Sequence, residues 1–118
     1  SEMCIRDRKK SELVTRLLDS ILRRGRALGI VVVALSQDPR VESVPLRARF
    51  PQRIALRLNS EEEAVMLLGR EAVDRGATPW LISPDQQGSG FIWNQTTGTV
   101  DYFRAPWYGD DDLMELGA

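Results

Sequence analysis

Arg23 to Pro39 reads RRGRALGIVVVALSQDP, a basic helix end that runs into six apolar residues, Ile30 to Leu35, and stops at the polar pair Ser36-Gln37. A run with no polar residue on either face predicts a strand covered on both sides, as in a parallel sheet. Ligands of open α/β sheets bind at the carboxyl ends of such strands. Gln37 stands at that edge with an amide that both donates and accepts hydrogen bonds. It suits sensing a phosphate or a positioned water, while capping a loop is the reading that the residues alone favour.

Upstream of this stretch, Leu13, Val14, Leu17, Leu18, Ile21, Leu22 and Leu28 fall at helical spacing, with Glu12, Arg16, Asp19 and Arg23 on the opposite side. The pattern predicts an amphipathic helix over Ser11 to Leu28, laid on a sheet and stopped by Gly29. The first eight residues, SEMCIRDR, resemble translated sequencing-adaptor read-through and are set aside as a non-native leader, so fold reasoning begins at Lys9.

Downstream, Asp38-Pro39 interrupts regular pairing, and Val41 to Phe50 reads as a loop with one helical turn. Gln52 to Leu58 alternates, which predicts a half-buried strand with Ile54, Leu56 and Leu58 on one face and Arg53, Ala55 and Arg57 on the other. Ser60 followed by Glu63 fits a capping box for a helix over Glu61 to Leu68, ended by Gly69. Glu71 to Pro84 reads as irregular. Gly90 to Asn94 and Thr99 to Arg104 flank the loop sequence NQTTG and predict a β-hairpin. Acids at Asp110 to Asp112 suit the first turn of a final helix.

The length of 118 residues fits one small domain or a piece of a larger one. The chain has no His and a single cysteine, Cys4, which excludes His-dependent triads, His-containing zinc sites and disulfide frameworks within it. No apolar run approaches the ~20 residues needed to span a bilayer. The expected setting is cytoplasmic. The net charge of -1 hides a basic first half and acids gathered at Glu61 to Glu63 and Asp110 to Asp112, which argues for a local basic surface and against a wholly basic nucleic-acid binder.

GRALGIVVVALSQDP resembles the segment after the Walker B strand of FtsK/SpoIIIE-type DNA translocases, including their TraB-like relatives, where K-A-R-A-x-G-I precedes an apolar strand and T-Q-R-P. RARFPQRIALRL resembles that family's K-A-N-I-P-T-R-I-A-F, and GSGFIW with FRAPWYGDDDL resembles its closing hairpin and tail. The resemblance covers nearly everything from Leu13 onward, with order and spacing kept. It implies the carboxyl-terminal part of a motor domain, residues 9–118. The implied fold is a partial RecA-like P-loop NTPase: α/β, three layers, a mostly parallel sheet and a C-terminal β-hairpin.

The resemblance also implies roles. Gln37 matches the polar sensor beside the γ-phosphate. Arg26 matches an arginine finger acting on the neighbouring subunit's nucleotide in a homo-hexameric ring, a role that suits a planar, always-charged guanidinium. The other reading of Arg26 is a solvated cation at a helix carboxyl end. Arg47 matches a Lys facing double-stranded DNA in the pore, with Arg49 beside it; contacts there would be to phosphate. Both equally fit ordinary surface arginines. Arg53 fits a structural or interface role.

Two acids depart from the family pattern: Asp38 replaces the Arg of T-Q-R-P, and Glu61 falls where a DNA-facing Lys is expected. The chain also lacks a G-x-x-x-x-G-K-[ST] phosphate loop and a strand ending in paired acids. ATP and Mg2+ are therefore expected in a full-length parent, and this chain alone is expected to be inactive. The expected function is part of an ATP-dependent translocase of double-stranded DNA, in chromosome segregation or conjugative transfer. The alternatives are part of a type VII secretion motor, which Asp38 and Glu61 would suit, and a non-catalytic α/β interaction module. A parent anchored in the inner membrane would carry that anchor upstream. Apolar surface left without neighbouring strands would make the isolated chain prone to aggregate.

Overall fold

The computed structural model describes residues 2–37 and 47–117, with side chains for 8–37 and 48–117, and the chain divides into two compact units, Ser1–Pro51 and Gln52–Ala118. The architecture is mixed α/β, with four α-helices and one three-stranded sheet among the described residues.

In the first unit, helix α1 spans Glu2–Arg24 and tightens into a 3-10 turn over Gly25–Leu28. The helix expected over Ser11 to Leu28 therefore starts nine residues earlier, in the residues set aside as a leader, and its last turn is 3-10 instead of α. Gly29 ends it as expected, in the left-handed conformation at φ 72°. Its N–H donates to the Arg26 carbonyl (3.3 Å), while the Ile30 N–H reaches the Gly25 carbonyl (2.8 Å). These are the two bonds of a Schellman motif, which satisfies carbonyls that a helix end otherwise leaves without donors. Gly25 is buried because Ile30 folds back on it: a Cβ at Gly25 would lie 3.0 Å from the Ile30 Cβ.

The run Ile30–Leu35 forms no strand, a departure from the expected one. Val31, Val33 and Leu35 are 81–94% exposed. Apolar composition gives a segment strand propensity, but a strand needs a neighbour to accept its backbone hydrogen bonds, and no described segment pairs with this one. Of the loop expected over Val41 to Phe50, residues 41–46 lie outside the described residues, and the helical turn is present as a 3-10 turn at Arg47–Arg49.

The second unit is built on strands β1 (Gln52–Leu56), β2 (Ser89–Asn94) and β3 (Thr99–Arg104), ordered β1-β2-β3 and antiparallel throughout. Helices α2 (Glu61–Leu68) and α3 (Arg70–Asp74) lie between β1 and β2 in sequence, and α4 (Asp110–Leu116) follows β3. The expected hairpin is present. Asn94 Oδ1 accepts from the backbone N–H groups of Thr96 and Thr97, and the Gly98 N–H closes the turn onto the Asn94 carbonyl at 2.8 Å. The expected α2 is also present, with Ser60 Oγ accepting from the Glu63 N–H (3.2 Å) and Glu63 reaching back to the N–H of Asn59 (2.9 Å).

The alternation expected of β1 is present over Gln52–Leu56, and the covered face is that of Arg53 and Ala55. Ala55 is buried and Arg53 half-buried, while Ile54 and Leu56 are each 57% exposed. The core joins Ala55, Phe91 and Trp93 on one sheet face to Leu68 of α2, Ala72 of α3, and Ala77 and Ile82 beyond it. Helices approach closely where side chains are small, so Ala55 faces them and the bulkier Ile54 and Leu56 point away. Leu58 lies past the strand end, where its N–H donates to the Pro79 carbonyl (3.3 Å), and it packs against the core free of the alternation. Helix α3 and the 3-10 turn Pro79–Leu81 replace part of the irregular stretch expected over Glu71 to Pro84.

Arg53 carries the structural role expected of it. Its Nη1 donates to the carbonyls of Leu67 (3.3 Å) and Leu68 (3.4 Å), and its Nη2 donates to Gln95 Oε1 (3.2 Å). A guanidinium here meets the negative end of α2 and two carbonyls with no helical donor. Arg53→Met, which keeps the aliphatic stem, is expected to cost about 1–2 kcal/mol through those orphaned acceptors, read as a lower urea midpoint at unchanged slope.

Candidate functional site

Arg26 sits in the 3-10 turn between α1 and Gly29, its side chain exposed and without an ion pair among the described residues. Its neighbour Arg23 differs, because Asp19 holds it at 2.9 Å one helical turn away. Gln37 occupies a bend just past the apolar run and is exposed. The two residues thus mark the ends of one segment, with the Schellman corner and the run between them, and no described group encloses either.

The basic candidates divide. Arg49 Nε donates to Asp19 Oδ1 at 2.8 Å, so one carboxylate ties the 3-10 turn Arg47–Arg49 to α1 while its other oxygen holds Arg23. Arg49 is 44% exposed, so this pair is screened and worth under about 1 kcal/mol. Arg47 begins that turn, and its side chain lies outside the described residues, as does Asp38. Glu61, the second departing acid, is paired with Arg70 at 3.1 Å.

An amide and a guanidinium are suitable donors to phosphate oxygens, but two exposed side chains do not cradle a nucleotide. Among the described residues no group of three or more His, Cys, Asp or Glu is placed to hold a metal ion.

Among the described residues, Asp85 is the one carboxylate held clearly below its ordinary value of 3.8. The Ser83 hydroxyl donates to it, its own backbone N–H adds to that, and Arg104 attracts the charged form against a small desolvation cost. It belongs to the turn before β2, in the second unit, and fits a loop-ordering role. Its signal in the sequence is the Ser-Pro-Asp spelling of a turn. The buried Ser89 hydroxyl is likewise structural: it accepts from Tyr102 Oη at 3.0 Å, beside the edge-on Phe91–Tyr102 ring pair.

No helix among the described residues is long and apolar enough to cross a membrane. Compared with known proteins, the chain matches no family model, no curated protein and no solved structure.

Proposed function

We propose that residues 9–118 are the carboxyl-terminal part of an FtsK/SpoIIIE-type motor domain, an ATP-driven translocase of double-stranded DNA. What carries the reading is the order and spacing of the GRALGIVVVALSQDP, RARFPQRIALRL, GSGFIW and FRAPWYGDDDL segments. In this reading the RecA-like parallel sheet is supplied by strands of the parent, and the antiparallel β1-β2-β3 sheet is the appended part. The uncovered Ile30–Leu35 run and the exposed Ile54 and Leu56 support it, since both are apolar surfaces that neighbouring sheet elements would cover. Arg26, exposed at a helix end without an ion pair among the described residues, is free to act on a neighbouring subunit's nucleotide. Gln37 serves the sensor role, and the parent supplies the sites for ATP and Mg2+. Arg47 and Arg49 contact DNA phosphates, with Arg49 giving up Asp19 to do so.

Asp38 and the Arg70-paired Glu61 favour a second reading, a secretion motor whose pore does not grip DNA. Two measurements test the assignment. The isolated chain is expected to show no ATP turnover, and sustained hydrolysis that survives Gln37→Ala defeats the motor-fragment reading. Fluorescence anisotropy with duplex DNA decides the cargo. Arg47→Ala is expected to weaken binding across sequences alike and to reduce the log-log salt slope by about 1. Binding indifferent to Arg47 and Arg49 selects the secretion reading.

A further inference from the structure

Charge is sorted along this chain more sharply than its near-neutral total suggests. Up to Pro51 there are eleven Lys and Arg against six Asp and Glu; from Gln52 onward there are five against eleven. The acidic extreme is the tail, where residues 105–117 hold Asp110, Asp111, Asp112 and Glu115 and no base. The basic extreme is the first helix, where Lys9, Lys10 and Arg24 make no ion pair among the described residues.

Both extremes also carry uncovered apolar side chains. On α1, Leu13 and Leu17 stand one turn apart with Val14 beside them, each more than half exposed. On the tail, Leu113, Met114 and Leu116 are 55–75% exposed and Trp107 is 84% exposed. Helix α4 is seven residues long and buries none of them. A two-turn helix is not self-sustaining in water. Its cap, the Gly109 N–H to Asp112 Oδ2 bond at 2.9 Å, and its first-turn acids satisfy one end without supplying a packed face. A surface that would order it has to be apolar and positively charged, and the α1 face is both.

We propose that α4 of one copy of this chain docks on the basic, apolar face of α1 of a second copy, head to tail. The joined surfaces are unlike, so the contact is heterologous and propagates into a closed ring or an open chain. This inference does not rest on the motor reading, since it uses only the charge and exposure of the two helices.

Sedimentation velocity on the full chain tests it, at protein concentrations of about 100 μM and from about 0.05 to 0.5 M NaCl, where the Debye length contracts severalfold. Association is expected at low salt, with the apparent Kd rising at least about tenfold across that range. Leu17→Glu disables the helix face, and Asp111→Lys with Glu115→Lys disables the tail while leaving Asp112 and its cap in place. Each variant alone is expected to be monomeric, with circular dichroism reporting that it remains folded. An equimolar mixture of the two is expected to give dimers and nothing larger, because each such pair retains one intact tail and one intact helix face. A monomer at every salt concentration, which is the result of docking within one chain, overturns the proposal. So does association that either variant leaves unchanged, the result of unspecific apolar contact.

Discussion

Trp93→Ala is expected to leave the second unit largely unfolded at 25 °C. The indole is 2% exposed, and three of the residues clustered with it, Ala55, Ala72 and Ala77, are alanines already at or near zero exposure. Small neighbours have no side-chain length with which to close a hole, so the cavity left by the ring should persist. Aromatic-to-alanine changes in such settings cost about 3–5 kcal/mol, comparable with the whole stability of a domain of this size, at roughly 5 kcal/mol or little more. The check is far-UV circular dichroism together with amide exchange of β2. Native-like protection of Phe91 and Ile92 in the variant would show that the cluster is not the unit's core.

Gly90→Ala comes next in size, for the opposite reason. Gly90 lies in the middle strand opposite Leu56 on one side and Phe103 on the other. A Cβ there would stand 2.7 Å from the Ala55 carbonyl oxygen and 2.9 Å from two atoms of the Phe103 ring. The ring can swing, but the carbonyl is held in the β1–β2 ladder. Overpacking of this kind costs about 1–3 kcal/mol, and the backbone clash places the expected loss toward the upper end. Adding Phe103→Ala relieves one contact and leaves the other, so the double variant is expected to recover little in denaturant titrations. Full recovery would locate the clash at the ring alone. Gly76 provides the contrast: a Cβ there meets nothing within 4 Å, and its cost is confined to the backbone at φ 112°.

Where signals are local, the sequence reads correctly. Ser60 with Glu63, the Gly69 stop, the Gly29 stop and the NQTTG loop each depend on residues within a few positions, and each is where it was expected. Where the answer depends on a distant partner, it does not. Ile30–Leu35 has the composition of a buried strand but no described neighbour to pair with. β1 has clean alternation, yet which face is covered is decided by how closely α2 and α3 approach, and a small Ala55 permits what Ile54 and Leu56 would prevent. Helix α3 is missed because five residues, REAVD, are too few for periodicity to register. Its signals are the buried Ala72 and the Gly69 before it. The candidate site is legible as residue types in order, while its chemistry depends on groups that Arg26 and Gln37 do not themselves provide.

The corner at Gly29 has a mechanical side. Two hydrogen bonds tie the start of the apolar run to the carbonyls of Gly25 and Arg26, and the Ile30 side chain is wedged against Gly25. A pull on the run cannot be absorbed at Gly29 without breaking those bonds, so it is delivered to the helix end as torque. Arg26 rides on that end. Whatever seizes Ile30–Leu35 therefore also loads the backbone that carries Arg26, and the run and the helix end move as one body.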